Sequence, residues 1–329
     1  MKGVLVCTSH CRFRMAGALL IPPLLNQGPR SAAGRATTSL SCRLMSSTET
    51  ASASPQVLLS GLAYPESPRW HKGRLWFAHW GTGEIVATNL AGTSEVVGTG
   101  PSGLGWSLGW LSDGRLLVTG DRLMRHESGG RTVPHADLGA IASHGWNEIV
   151  VDGRDNVYVN GFDFAAPEEG VIAKVSNEGQ VRKVAEGLAF PNGMVVTPDN
   201  STLIVAESFA GRLTAFDIGS DGSLSSPRTW AEGIGPDGIC LDATGAIWTH
   251  AADVEAQADV GPGPHGACVL VREGGEVLKR VDTDQAGFAC ALGGPNEDTL
   301  FLLVADWLGF ERIDEALANR TGKVLYLPV

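Results

Sequence analysis

From residue 56 onward the apolar residues fall into short runs, each preceded by a polar turn. Six of these runs stand out: Arg74-Leu-Trp-Phe-Ala78, Arg115-Leu-Leu-Val-Thr119, Asn156-Val-Tyr-Val-Asn160, Thr202-Leu-Ile-Val-Ala206, Ala246-Ile-Trp-Thr-His250 and Thr299-Leu-Phe-Leu-Leu303. Their first apolar residues are Leu75, Leu116, Val157, Leu203, Ile247 and Leu300, separated by 41, 41, 46, 44 and 53 positions. Runs this short predict strands rather than helices. Turns such as Asp113-Gly114, Asp155-Asn156, Asp199-Asn200 and Thr244-Gly245 predict tight hairpins before them. A second series, Glu95-Val-Val97, Gln180 to Val184 and Glu276 to Val281, predicts outer strands. Only Glu311 to Asn319 shows a helical period. A repeat of about 40–50 residues marks a propeller. The expected fold is therefore all-β, a six-bladed β-propeller over residues 56–329. Gln56-Val-Leu-Leu-Ser60 is expected to be the outer strand of the last blade, closing the ring and removing an open sheet edge.

Residues 1–55 read differently. Lys2, Arg12, Arg14, Arg30, Arg35 and Arg43 precede the first acid, Glu49. The apolar run Met15 to Leu25 is broken by Pro22 and Pro23, too short for a span of about 20 residues. A basic, Ser-rich, acid-poor segment is expected to be a disordered leader, either a mitochondrial or other targeting peptide or sequence upstream of a true start at Met45, with a secretory leader as a third reading. The corresponding location is cytoplasmic, or organellar if residues 1–44 are a targeting peptide.

Composition narrows the function. The net charge of −11 argues against nucleic acid and anionic membrane as partners, and 43% hydrophobic residues provide a large core. Cys7, Cys11, Cys42, Cys240, Cys268 and Cys290 include no Cys-x-x-Cys pair, so reduced and mostly buried thiols are expected. Neither a Gly-x-Ser-x-Gly elbow nor a His-Glu-x-x-His helix is present.

The candidate chemistry lies in a turn that recurs. Gly61-Leu-Ala-Tyr-Pro-Glu66, Gly187-Leu-Ala-Phe-Pro-Asn192 and Gly233-Ile-Gly-Pro-Asp237 each set an oxygen acceptor after a rigid proline. The acceptors stand 9, 11 and 10 positions before Leu75, Leu203 and Ile247. The same spacing selects Asn147 before Val157, the region of Trp106 and Ser107 in the second blade, and Ala289 and Cys290 in the last. Glu66, Asn147, Asn192 and Asp237 are thus expected to converge on the central channel. Two carboxylates and two amides, with no thiolate or imidazole, suit calcium, magnesium or manganese better than zinc.

At these residues the chain resembles the SMP-30/gluconolactonase (regucalcin-like) family. The resemblance covers about residues 56–329 and is carried by Glu66-Ser-Pro-Arg-Trp70, Asn147-Glu-Ile-Val-Val-Asp152, Phe190-Pro-Asn-Gly-Met194 and Pro236-Asp-Gly-Ile-Cys240. It implies a six-bladed propeller with one divalent metal in the channel, calcium first with zinc, manganese or magnesium as alternatives, and lactone hydrolysis. Glu66, Asn192 and Asp237 look like the metal ligands, Asp237 also like the general base, and Asn147 like a substrate contact. Trp146 and Glu148 are expected beside the substrate, and Glu148 and His144 are second-choice bases. Trp106 and Trp146 are expected to face the channel. Two positions depart from the family: Gly145 stands where sugar-lactone enzymes carry Arg, and His79 where an Asp is frequent. The expected partner is a small lactone or ester. The alternative is a non-enzymatic calcium-binding or scaffold propeller, and a condensing enzyme like strictosidine synthase is disfavoured by the ligand set.

Overall fold

The computed structural model describes residues 54–127, 130–143, 145–251 and 266–329. The expectations for the leader up to residue 53 and for His144 lie outside the described residues. The rest forms six antiparallel sheets of four strands, arranged as a six-bladed β-propeller. The innermost strands are Pro65–His71, Leu108–Trp110, Trp146–Val151, Pro191–Val196, Ile239–Leu241 and Ala286–Gly293. Each touches the innermost strands of both neighbours, and the sixth touches the first, which closes the ring. The last blade is built from both ends of the domain: Gln56–Leu62 pairs antiparallel with Gly322–Pro328, as the sequence pattern predicts.

The strand pattern explains the packing. Leu75, Val157, Leu203, Ile247 and Leu300 are all 0% exposed, because alternate residues of each second strand enter the layers between blades. Leu75 and Phe77 of the first blade, for example, pack on Ala289, Ala291, Phe301 and Leu303 of the sixth. At the outer hairpins Asp side chains hold the turns: Asp152 accepts from Arg154 N and Asn156 N, and Asp242 from Thr244 N and Ala246 N, at 2.8–2.9 Å. The helical expectation is met by a short helix, Ile313–Asn319, in the connection that crosses the last blade. Cys240, Cys268 and Cys290 are free thiols, the last two buried. Among the described residues no helix is long and apolar enough to cross a membrane.

Each inner strand begins at one face of the ring and runs to a hairpin at the other. Second strands therefore end at the face where the inner strands begin. That face carries the candidate site.

Candidate metal centre

Strand pairing gives the register directly. Leu75, Leu116, Val157, Leu203, Ile247 and Leu300 lie opposite Trp70, Trp110, Val151, Val196, Leu241 and Leu292. The residue four positions before each partner is Glu66, Trp106, Asn147, Asn192, Asp237 and Phe288. The four polar residues thus share one position of four inner strands, and two aromatic residues hold it in the others. The last blade departs from the expectation of Ala289 and Cys290. Eight positions separate Leu292 from Leu300, against five from Trp70 to Leu75, so the longer hairpin moves the equivalent position back to Phe288.

The chain at this position is irregular and closely packed. The inner ladders shift register between Glu66 and Arg69, Trp146 and Ile149, and Pro191 and Met194, bulges that turn side chains out of the strand alternation. Tyr64 and Phe190, each two residues before an acceptor, have φ of 54°, a conformation costing about 1–3 kcal/mol for a bulky side chain. The glycines after Asn192 and Asp237 are needed for close approach. A Cβ at Gly193 would lie 2.6 Å from Ile239 N, and one at Gly238 would lie 2.6 Å from the Ala289 side chain. Neighbouring blades are joined here by hydrogen bonds. Leu108 N donates to Ser67 Oγ (2.9 Å), Thr119 Oγ1 to Asn147 O (2.6 Å), Asn160 Nδ2 to Asn192 O (2.5 Å), Gly193 N to Asp237 O (3.2 Å) and Gly238 N to Phe288 O (2.7 Å). The acceptor-bearing backbone is therefore fixed blade to blade before any ligand arrives.

The electrostatics are unfavourable in the protein alone. Glu66 is 6% exposed and accepts one hydrogen bond, from Ser67 N at 2.9 Å. Among the described residues no donor reaches the Asp237 carboxylate, which is enclosed by protein yet keeps some accessible surface. Burial pushes both carboxyls well above the usual carboxylate range; the charge of Asp237 adds to the rise at Glu66, and Glu148 adds at both. Asn147 Nδ2 donates to Asn192 Oδ1 at 3.3 Å, bringing the two amides together.

The family model for the SMP-30/Gluconolactonase/LRE-like region matches residues 64–306, which contain all four acceptors. The chain belongs to this family. Solved structures share its fold. A calcium-binding protein, regucalcin, from Agrobacterium tumefaciens is 21% identical, with 84% of this chain and 93% of that one covered at a TM-score of 0.66. A luciferin-regenerating enzyme is 16% identical, covering 84% and 95% at 0.68. A gluconolactonase from Xanthomonas campestris is 18% identical, covering 83% and 88% at 0.63.

Within this SMP-30/gluconolactonase propeller, several residues lie away from their expected places. Trp146 is 1% exposed and packs in the core with Leu117, Leu138 and Ile149 rather than beside a substrate. It directly precedes Asn147, and adjacent strand residues face opposite sides. Trp106 is likewise buried, with Ala78, Ile85 and Leu108, its ring against Gly100. Glu148 is buried and its carboxylate is taken by Arg69 Nη2 at 2.8 Å, a guanidinium that also donates to Ile149 O at 3.0 Å. His79 is neither at the surface nor in the channel. Ala63 N donates to its Nε2 at 2.8 Å, so the ring proton sits on Nδ1, 2.9 Å from Thr82 Oγ1. Burial lowers its pKa, and the neutral ring ties the first strand's exit to the first blade. Gly145 is exposed and brings no side chain to the mouth.

The sequence did not reveal Arg69, Thr119 or Asn160 as parts of the site. Their partners are 79, 28 and 32 positions away, too far for any local spacing to pair them.

Proposed function

We propose that this member of the family is a metal-dependent hydrolase that opens lactones or related small cyclic esters. The observation that carries the reading is that Glu66 and Asp237, two enclosed carboxylates of which only Glu66 accepts a hydrogen bond among the described residues, from Ser67 N, stand at the same strand position as two amides. Leaving two such charges unpartnered costs several kcal/mol, and a divalent cation would neutralise them. Among the described residues no cluster of three or more His, Cys, Asp or Glu side chains could hold a metal. A metal here would therefore depend on amide oxygens, which favours hard calcium, then manganese or magnesium, over zinc. Glu66 Oε, Asn192 Oδ1 and Asp237 Oδ would hold it, with Asn147 at the edge of the set.

A bound divalent metal supplies Lewis acidity and lowers the pKa of water. Asp237 takes a proton from the attacking water through its free carboxylate oxygen. The water oxygen bonds to the lactone carbonyl carbon, the carbon–oxygen ring bond breaks, and the departing alkoxide recovers the proton from Asp237. Asn147 orients the substrate through its second Nδ2 proton, the first being held by Asn192. Arg69 Nη2 engages the Glu148 carboxylate at 2.8 Å, which leaves Asp237 as the base. The relatives named regucalcin and gluconolactonase support both the metal and the substrate class.

The test is proton release from a panel of sugar and acyl lactones after chelation, with calcium, manganese, magnesium or zinc added back. Restored turnover is expected. A folded, metal-binding protein that opens none of them would move the reading to a calcium-binding propeller.

A further inference from the structure

The mouth above the acceptors is lined by aromatic rings. Phe190 directly precedes the fourth inner strand, two residues before Asn192, and Phe288 occupies the acceptor position of the sixth. Phe162 and Phe164 lie where the third blade's second strand turns back, and Phe209 where the fourth blade's does. Trp307 and Phe310 lie in the connection that leaves the sixth blade's second strand. All these places are at the face where the inner strands begin.

The rings form one connected set. Phe162 lies 3.8 Å from Phe190 and 5.1 Å from Phe164, and Phe190 stacks on Phe209 at 4.3 Å. Phe310 reaches Phe164 at 5.4 Å and Trp307 at 4.9 Å, and Trp307 meets Phe288 at 5.9 Å. The third and sixth blades are opposite each other in a six-membered ring, so the Phe164–Phe310 contact crosses the mouth. The connection that carries Phe310 is anchored on both sides. Tyr64 Oη donates to Asp306 O at 3.1 Å, Gln285 Nε2 donates to Asp306 Oδ1 at 2.8 Å, and Ile313 and Leu317 pack beside Tyr64.

Three of the rings are open to solvent: Phe164 at 51%, Phe209 at 56% and Phe310 at 42%. Adjoining large aromatic side chains left exposed on the face that carries the acceptors mark it as a place for an apolar ligand. One polar group beside them, on Glu207, is already satisfied. The Glu207 carboxylate accepts from Ala189 N, Arg212 and Thr214. A ligand bearing many hydroxyls would lose water on the rings and gain no partners from them.

We propose that Phe162, Phe164, Phe190, Phe209, Trp307 and Phe310 form the specificity pocket of this site, receiving an aryl or acyl group attached to the reacting ring. The nature of that ring rests on the lactone-hydrolase reading. The pocket's preference for apolar over polyhydroxylated ligands does not. The rings grip the substituent by stacking and apolar contact while the ester group reaches the acceptors below.

The test uses full-length protein with calcium and three lactams as unreactive stand-ins: one unsubstituted, one bearing a phenyl group, one bearing several hydroxyls. Calorimetry is expected to show the phenyl lactam bound at least about tenfold tighter than the other two. Phe164→Ala and Phe310→Ala each shrink that preference, and Phe164→Leu retains part of it. Equal binding, tighter binding of the hydroxylated lactam, or an undiminished preference in both alanine variants overturns the proposal. The matching lactones are then assayed. Hydrolysis without a phenyl preference, carried in KM, also overturns the pocket while leaving the hydrolase reading intact. Phenyl-lactam preference with no lactone opened supports the pocket and overturns the hydrolase reading.

Discussion

The first, third, fourth and fifth blades place Glu66, Asn147, Asn192 and Asp237 at one strand position; the second and sixth place Trp106 and Phe288 there. Hydrogen bonds link each blade to the next at this level, from the first to the sixth, whichever kind of residue stands there. What differs is the environment of the side chain. Trp106 is buried in the core with Ala78 and Leu108, while Glu66 and Asp237 are enclosed with fewer hydrogen-bond donors than their charges require. The scaffold tolerates either, so the four polar residues are a departure from best packing at a cost to stability. A ligand that neutralises them would offset that cost, which is the trade expected of a functional site.

The contrast can be broken most severely at Asp237. On the proposed reading Asp237→Ala removes a ligand and the base together, and it should lower lactone hydrolysis at least about a thousandfold, measured by steady-state kinetics with circular dichroism as the folding control. Phe288→Leu, at the equivalent position of the sixth blade, should cost less than about tenfold.

The next effect is on stability and pH in metal-free protein. Glu66 and Asp237 have folded pKa values raised above their unfolded ones, so the folded state holds the protons more tightly. Stability should therefore be greatest near the ordinary carboxylate range and fall as pH rises through the raised folded values. Thermal melts from about pH 5 to about pH 8 should show a declining Tm. Added calcium should abolish the decline. Glu66→Gln should flatten it in the metal-free protein, and no other pair of blades should give this response.

A smaller effect separates two glycines. Gly193→Ala meets Ile239 N at 2.6 Å and should cost about 1–3 kcal/mol in denaturant unfolding, whereas the Cβ added by Gly145→Ala meets no described atom within 4 Å and should change stability by no more than about 0.5 kcal/mol. Thr119→Val removes both the donor to Asn147 O and the acceptor for the buried Ser107 N, and should cost about 1–3 kcal/mol in the same measurement.

Much of the fold could be read from sequence because its signals are local. Six apolar runs, their Asp- and Gly-rich turns and the leading strand that closes the last blade all appear within a few residues. Glu66, Asn192 and Asp237 were visible as candidates because a proline precedes each, and Asn147 because hairpin lengths vary little in four blades. The same counting missed Phe288, where the hairpin after Leu292 is longer. Trp106 and Trp146 were read toward the channel, yet they pack in the core, since spacing fixes a position along a strand but not the side a bulged strand presents. The Arg69–Glu148 pair and the Phe164–Phe310 contact join residues 79 and 146 positions apart, and only the closed ring brings them together.

The central claim, that Glu66, Asn192 and Asp237 hold a divalent ion with Asn147 beside it, is tested most directly by calorimetric titration of chelated, full-length protein with calcium. The account predicts one ion per chain, with affinity lowered at least about a hundredfold in Glu66→Gln and in Asp237→Asn and left near wild type in Phe288→Leu. Binding that is absent, or that survives both carboxylate substitutions unchanged, would contradict it.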